Sequence, residues 1–435
     1  MRQESSCGVS FEIALQTNHA ANYANQLLQD LGERAHLETS ADHPAVAWRR
    51  SGLSHITGHM CPLPLASHAD GALMALKAIS ENASDLPAYG SQLLGERALM
   101  RGIRCKGRHN AGGSAQILKA KDGCIALNLA REDDWDLMPA WLGTEMDSWK
   151  AIAKCVRQKE TDDLVSRGIE MGLALSKSSL PERSTHWFAI KKFKKGKPKK
   201  SPLIVDMSGL WAAPLASNLL EMNTAKVVKV ESPTRPDGMR RGHKGFYDLI
   251  NAGKDCVAID FKTPKGFVAL KNLLIKADVV IEASRPRAME QLGIFVEDFV
   301  MQKPGMIWAR LTAYGRSQNR IGFGDDISVS AGLSSVMGQT YGVQSFVGDA
   351  IADPMSGLHM VLAIQQCLNQ GGGAILDFSM CDILRYAMGD MPDDLIVTAQ
   401  KWQTIIHQDD APFYQPRQIH SPVKSLGEDN AVWLC

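Results

Sequence analysis

Residues 202–231 read PLIVDMSGLWAAPLASNLLEMNTAKVVKVE. The run PLIVDM (202–207) has no polar alternation, so both of its faces must be buried, as in a strand inside a parallel sheet. WAAPLASNLLEMN (211–223) then carries apolar residues at helical spacing. AKVVKVE (225–231) is a second β-branched run one crossover further on. The pattern repeats. DCVAIDF (255–261) reads as a strand, PKGFVALKNLLIKA (264–277) as a helix, and DVVIEAS (278–284) and MIWARLTAY (306–314) as further strands. Such an alternation predicts an α/β fold in which a parallel sheet is covered by helices on both faces. In that architecture ligands gather at the carboxyl ends of the strands.

Outward toward the N-terminus the pattern changes. Seven lysines crowd positions 191–200, beside Gly196 and Pro198. So dense a like charge repels itself and stays solvated, which predicts a linker over 189–201. Before it, AQILKAKDGCIALNLA (115–130) reads as a hairpin turning at Lys-Asp-Gly, followed by helices rich in Trp and Met. A small α+β domain is expected over 96–188. SGLSHITG (51–58) echoes AGLSSVMG (331–338), and each precedes an apolar helix. Residues 1–95 are therefore expected to be a partial, degenerate repeat of the 202–385 domain, with Ser67 or His68 where the second copy has Asp353. The tail, 386–435, carries no interpretable motif.

The bulk properties exclude several classes. With 48 basic and 47 acidic residues the chain is nearly neutral, so neither nucleic acid nor a membrane surface is an expected partner. Nine scattered cysteines without C-x-x-C spacing argue against a disulfide framework and against zinc, and no metal is expected. His55 and His59 lack a third ligand. The start, MRQESSCGVSFEIALQTNHA, has no signal-peptide core, and a cytoplasmic location is expected. The turn DMSGLWAAP lacks G-x-G-x-x-G, and neither a phosphate-loop motif nor a G-x-S-x-G elbow occurs, which turns the reading away from dinucleotide enzymes and hydrolases.

Two features carry chemistry. ESPTRPDGMRRGH (231–243) places Arg235, Arg240 and Arg241 in a loop at a strand's carboxyl end, and NAGK (251–254) and SRPR (284–287) add Lys254 and Arg285 at neighbouring edges. Forked guanidinium contacts to phosphate oxygens are one reading, and a solvated basic loop is the other. The second feature is GDAIADPMSGLHMVLAI (348–364). Asp353 before Pro354 reads either as a helix N-cap or as a carboxylate facing a cleft.

The segments LIVDMSGLWAAPLASNLL, AKVVKVESPTRPDGMRRG, FYDLINAGKDCVAIDF, ADVVIEASRPRAMEQLGI, KPGMIWARLTAYG, GDDISVSAGLSSVMG, GDAIADPMSGLHMVLAI and GGGAILDFSM occur in register over some 180 residues. Together they resemble the class III CoA-transferases, the CaiB/BaiF family that also includes α-methylacyl-CoA racemases. The resemblance implies a Rossmann-like large domain and a small domain. It implies Asp353 as catalytic nucleophile, and a CoA site formed by Trp211, Ala212, Arg235, Arg240, Arg241, Lys254 and Arg285. Coenzyme A thioesters and carboxylic acids would be substrates, with no permanently bound cofactor. Family members form interlocked homodimers, so either a homodimer or an internal imitation of one is implied.

A carboxylate of ordinary pKa is ionised at neutral pH and needs no base to attack a thioester. The implied reaction moves CoA from an acyl-CoA to an acceptor acid through a covalent aspartyl intermediate. The sequence also departs from the family. Asp325 stands where racemases carry histidine, which disfavours racemization. Ala283 replaces a CoA-contacting asparagine, leaving Arg285 as its substitute. The small domain precedes the linker instead of following the aspartate helix. AGGSA (111–115) resembles the family's acyl-shielding glycine loop, and a plain approach to the hairpin is the alternative reading. A non-catalytic CoA-binding or assembly role is the competing reading.

Overall fold

The computed structural model describes residues 15–434. The start of the chain through residue 14, with Cys7, and the terminal Cys435 lie outside the described residues. Helices α1 (His19–Asp30), α2 (Pro44–Arg50), α3 (Leu65–Ala78) and α4 (Gly90–Arg101) form an N-terminal layer. A small antiparallel sheet follows, with β1 (Ala115–Lys119) and β2 (Cys124–Asn128) as the expected hairpin. Helices α5 (Trp149–Val156) and α6 (Thr161–Glu170) precede its third strand, β3 (Ala174–Lys177).

The main sheet comprises β4 (Ala189–Lys192), β5 (Leu203–Asp206), β6 (Lys226–Glu231), β7 (Asp255–Ala258), β8 (Val279–Glu282), β9 (Ile307–Thr312) and β10 (Ala374–Ser379). Its order is β4-β10-β9-β8-β5-β6-β7, parallel throughout except for β4. The chain runs outward from β5 through β6 to β7, then returns to place β8 on the other side of β5. The switch point at which such sheets bind ligands therefore lies between the ends of β5 and β8. The first four residues of the lysine-rich stretch do not act as linker. They pair antiparallel with β10, Ile190 opposite Leu376. An edge strand satisfies its backbone on one side while its lysines stay in water, so charge did not preclude pairing.

Side chains alternate across this sheet as the strand period requires. Ile204, Val279, Ile281, Ile307 and Ala309 point into one core, and Val205, Val280 and Trp308 into the other. The first core is covered by α7 (Ala212–Asn223) and α11 (Ala352–Asn369), and the N-terminal helices complete it. Leu27, Leu28, Leu73 and Leu76 share that core with Leu215, Leu219, Leu358 and Leu362, each contributing about 2 kcal/mol by burial. The second core is closed by α9 (Pro264–Lys276), which follows α8 (Lys244–Asn251). Thr263 caps α9 by accepting the Gly266 N–H at 3.1 Å, and Pro264 takes the first helical position.

The N-terminal layer and the α7/α11 layer share a local geometry. A Cβ on Gly71 of α3 would meet the Ala20 oxygen of α1 at 2.4 Å, and a Cβ on Gly357 of α11 would meet the Ala212 oxygen of α7 at 2.7 Å. Both helix pairs approach where only glycine fits. Gly52 and Gly332, the glycines of the two GLS echoes, both take left-handed backbone, at φ 80° and 111°.

The tail is a strap. Asp409 pairs with Arg49 and Arg50, Tyr414 donates to Asp42, Arg417 pairs with Glu96, and Asp429 accepts the Cys256 N–H of β7. Before these anchors the tail forms a helix, Leu395–Ile406, whose Leu395, Trp402, Ile405 and Ile406 pack on the first core; beyond it the polar anchors fall at irregular spacing and leave no hydrophobic period.

Candidate active site

Asp353 lies in the first turn of α11. Helix α11 begins at Ala352 with Ile351 in the capping position, and no side chain bonds the free N–H groups. The N-cap reading of Asp353 is thereby corrected. The chain enters the helix through Ala350, which holds φ 46°. Asp353 N–H donates to the Ala350 oxygen at 2.8 Å. The only other non-glycine residue with positive φ among the described residues is Leu210, at 65°, in the turn leading into α7. Both strained positions flank the same carboxyl, as strain retained at functional sites does.

Asp353 is half-buried, and its carboxyl is closely walled. A Cβ on Gly324, the first residue of α10 (Gly324–Ala331), would sit 2.1 Å from its Oδ2. Burial is the main influence on its pKa and pushes it up to about 7. Arg97 and the Ala212 N–H act against that rise, while Asp325 and Asp349 add to it. The ordinary carboxylate pKa expected from sequence is therefore not what the fold provides.

Asp325 receives Asn110 Nδ2 at 2.6 Å and the Ala350 N–H at 3.1 Å, so it joins the 111–115 loop to the turn before Asp353. Asn110 also accepts the Ala115 N–H at 2.8 Å, closing that loop on itself. Burial first, then Asp349, lifts Asp325 to about 6. Asp326 is fully buried between Asn128, Tyr314 and the Phe323 N–H, and burial pushes it up to about 7. These partners were not legible in the sequence: Asn110 and Asn128 lie 215 and 198 residues from Asp325 and Asp326, and the Ala350 and Tyr314 contacts depend on how the chain between them folds.

The structure sorts the expected cationic residues. Arg235 and Arg285 are exposed at the carboxyl ends of β6 and β8, on either side of the switch point, and Ala283 is exposed beside Arg285. Arg241 is 68% exposed with a loose contact to Glu132 at 3.4 Å. Arg240 grips Glu231 bidentately, with Nη2–Oε1 at 2.8 Å, and lies 4.6 Å over the Tyr247 ring, so its charge is already paired. Lys254 is corrected more strongly. Its side chain is 1% exposed, paired to Asp206 at 3.2 Å and bonded to Pro214 O, Ser217 Oγ and Asn251 Oδ1. Its ammonium holds the β5–α7 corner together and does not face the rim. Trp211 is buried against Phe246, and Ala212 contributes its N–H to Asp353.

Asp353 lines neither of two small surface concavities, one formed by Arg183, Arg385 and their neighbours and the other by Tyr247, Lys254 and Lys424. Among the described residues no cluster of three metal-ligating side chains occurs, and no helix is long and apolar enough to cross a membrane.

Fold and site together define an α/β protein with an acidic helix start at a sheet switch point. The family model described as CoA-transferase family III matches residues 202–419, and the chain belongs to that family. It is 26% identical over 200 residues to the succinyl-CoA–D-citramalate CoA-transferase of Chloroflexus aurantiacus, covering 42% of this chain and 49% of that protein. It is 30% identical over 202 residues to the succinyl-CoA:glutarate CoA-transferase of Homo sapiens, covering 43% and 45%. A crystal structure of a hypothetical protein from Mycobacterium tuberculosis superposes with a TM-score of 0.41 at 28% identity, covering 50% of this chain and 60% of that one. The chain spans about half the length of the first curated relatives it matches. The match runs 34 residues beyond the boundary expected at 385 and takes in Asp409 and Arg417 of the strap (419 − 385).

Proposed function

We propose that the protein moves CoA between an acyl-CoA thioester and an acceptor carboxylic acid through a covalent intermediate on Asp353. The observation that carries this reading is the half-buried Asp353 in the first turn of α11, its carboxyl walled by Gly324 and held toward its ionised form by the Ala212 N–H, inside the family-matched segment.

One Asp353 oxygen attacks the thioester carbonyl carbon, the C–S bond breaks, and CoA leaves as thiolate while the acyl group becomes a mixed anhydride. The thiolate then attacks the aspartyl carbonyl, releasing the donor acid and forming an aspartyl-CoA thioester. The acceptor carboxylate attacks that carbonyl in turn, and the thiolate returns to its acyl group, regenerating Asp353. Each tetrahedral oxyanion needs a donor, and the Ala212 N–H, which favours the ionised form of Asp353, is the candidate for it. Arg235 and Arg285 supply free positive charge for the phosphates of CoA.

Succinyl-CoA is the first donor to test, because both named relatives above carry it in their names. The N-terminal helices fit a degenerate second copy of the α7/α11 layer, supported by the matching glycine contacts, with the fully buried Ser67 where the other copy has Asp353. Asp325 accepts two N–H groups, which favours a positioning role over that of a second base for racemization. Incubation with succinyl-CoA followed by hydroxylamine should modify the Asp353 peptide. An unmodified peptide after a panel of donors has been consumed would refute the intermediate.

A further inference from the structure

Arg97 belongs to α4, more than 100 residues before the family-matched segment begins. Its guanidinium holds Asp349 through two contacts, Nε–Oδ2 at 2.7 Å and Nη2–Oδ1 at 2.6 Å, and lies 4.5 Å over the Trp211 ring. Asp349 is fully buried and the Arg97 side chain is 15% exposed, so the pair sits in a region of low dielectric. Asp349 precedes the strained Ala350, and Trp211 precedes the residue whose N–H meets Asp353. One side chain thus clamps both turns that shape the surroundings of the carboxyl.

We infer that Arg97 is a positioning residue that fixes the two turns around the Asp353 carboxyl, supplied by a part of the chain outside the family match. This deepens the proposed function and rests on it for its catalytic consequence.

The charged groups facing Asp353 are Arg97 from α4, Asp325 from α10 and Asp349 from the turn before α11. The nearby Cys105 thiol, which donates to the Gly348 oxygen at 3.1 Å, is neutral because burial pushes its pKa well up. Three carboxyls therefore share one cation. Without Arg97 the carboxyl nearest the reacting carbonyl would remain protonated well above neutrality, and a protonated carboxyl is a poor nucleophile. Arg97 keeps its own proton because its carboxylate neighbours outweigh burial.

The test reads Asp353 directly and needs no substrate. Carbodiimide-driven amine labelling of carboxyls, followed across pH 5–9 by peptide mass spectrometry, reports the protonated fraction of Asp353 in the full chain. Arg97→Gln should move the labelling midpoint up by about one pH unit or more. Arg97→Lys should restore at least half of that shift. Asp349→Asn should move the midpoint down, since it removes a repelling charge and frees Arg97. The downward shift keeps the inference testable if Arg97→Gln does not fold. Coincident midpoints in the folded variants, or an upward shift in Asp349→Asn, would overturn it. Because labelling is independent of turnover, failure of the acyl-enzyme test would leave this result standing, and the two failures are distinguishable.

Discussion

The α-carbon of Gly324 faces Asp353 so closely that a Cβ there would fall 2.1 Å from Oδ2 and 2.5 Å from the Ala350 oxygen. The carboxyl can occupy its place only because this helix starts with glycine. Gly324→Ala is expected to displace the carboxyl by about an ångström and lower kcat/KM by about 100-fold. Circular dichroism should show the fold retained, and unchanged activity in the folded variant would mean that the position of the carboxyl is unimportant.

Burial raises Asp353 to about 7, and in the proposed reaction only its ionised form attacks. Single-turnover acylation should therefore rise with pH through a midpoint near 7 and then level, whereas an ordinary carboxylate would give a flat profile above pH 5. The stability sign is opposite. Between pH 4 and 7 the folded state holds a proton that the unfolded chain has released, so this group makes the protein less stable as pH rises. Asp353→Asn should be inactive yet more stable than wild type at pH 8, by about 1–2 kcal/mol after allowance for its partial exposure. Denaturant titration at pH 5 and pH 8 would show the gap opening only at the higher pH.

Lys254 and Arg285 looked alike in sequence and should behave differently. Lys254→Met leaves Asp206 charged and buried, which costs about 3–5 kcal/mol. Arg285→Ala and Arg235→Ala should leave the melting temperature unchanged and raise the KM for acyl-CoA about 3- to 10-fold, an effect that shrinks as salt is added. A KM that ignores both substitutions would place the CoA phosphates elsewhere.

Arg417 of the strap pairs with Glu96, the neighbour of Arg97, and also reaches Asn218 at 3.0 Å. Glu96 is 1% exposed on its side chain, so Arg417→Ala leaves a buried charge unpaired, with an expected loss of about 3 kcal/mol. Limited proteolysis should then cut first between 407 and 420. A wild-type cleavage pattern would contradict this role of the strap.

The fold was largely legible because burial on both faces imposes a plain pattern. The run read as a strand over 202–207 is Leu203–Asp206, that over 225–231 is Lys226–Glu231, and the helix read over 211–223 is Ala212–Asn223. Ala189–Lys192 escaped because an edge strand needs only backbone partners, and its lysines pointed to solvent. Asp353 could be put forward from the sequence, but the electrostatics around it could not. Arg97, Asp349 and Asn110 act across folded distance, and nothing in their local sequence announces it. The same limit explains Lys254 and Arg240, whose charges looked free until their buried partners, Asp206 and Glu231, came into view.

The most direct measurement is a single-turnover reaction of the full chain with succinyl-CoA at pH 8, quenched with hydroxylamine and read by peptide mass spectrometry. A hydroxamate is expected on the side chain of Asp353 alone, and none in Asp353→Asn. CoA exchange that proceeds with the Asp353 peptide unmodified, or that survives in Asp353→Asn, would contradict it.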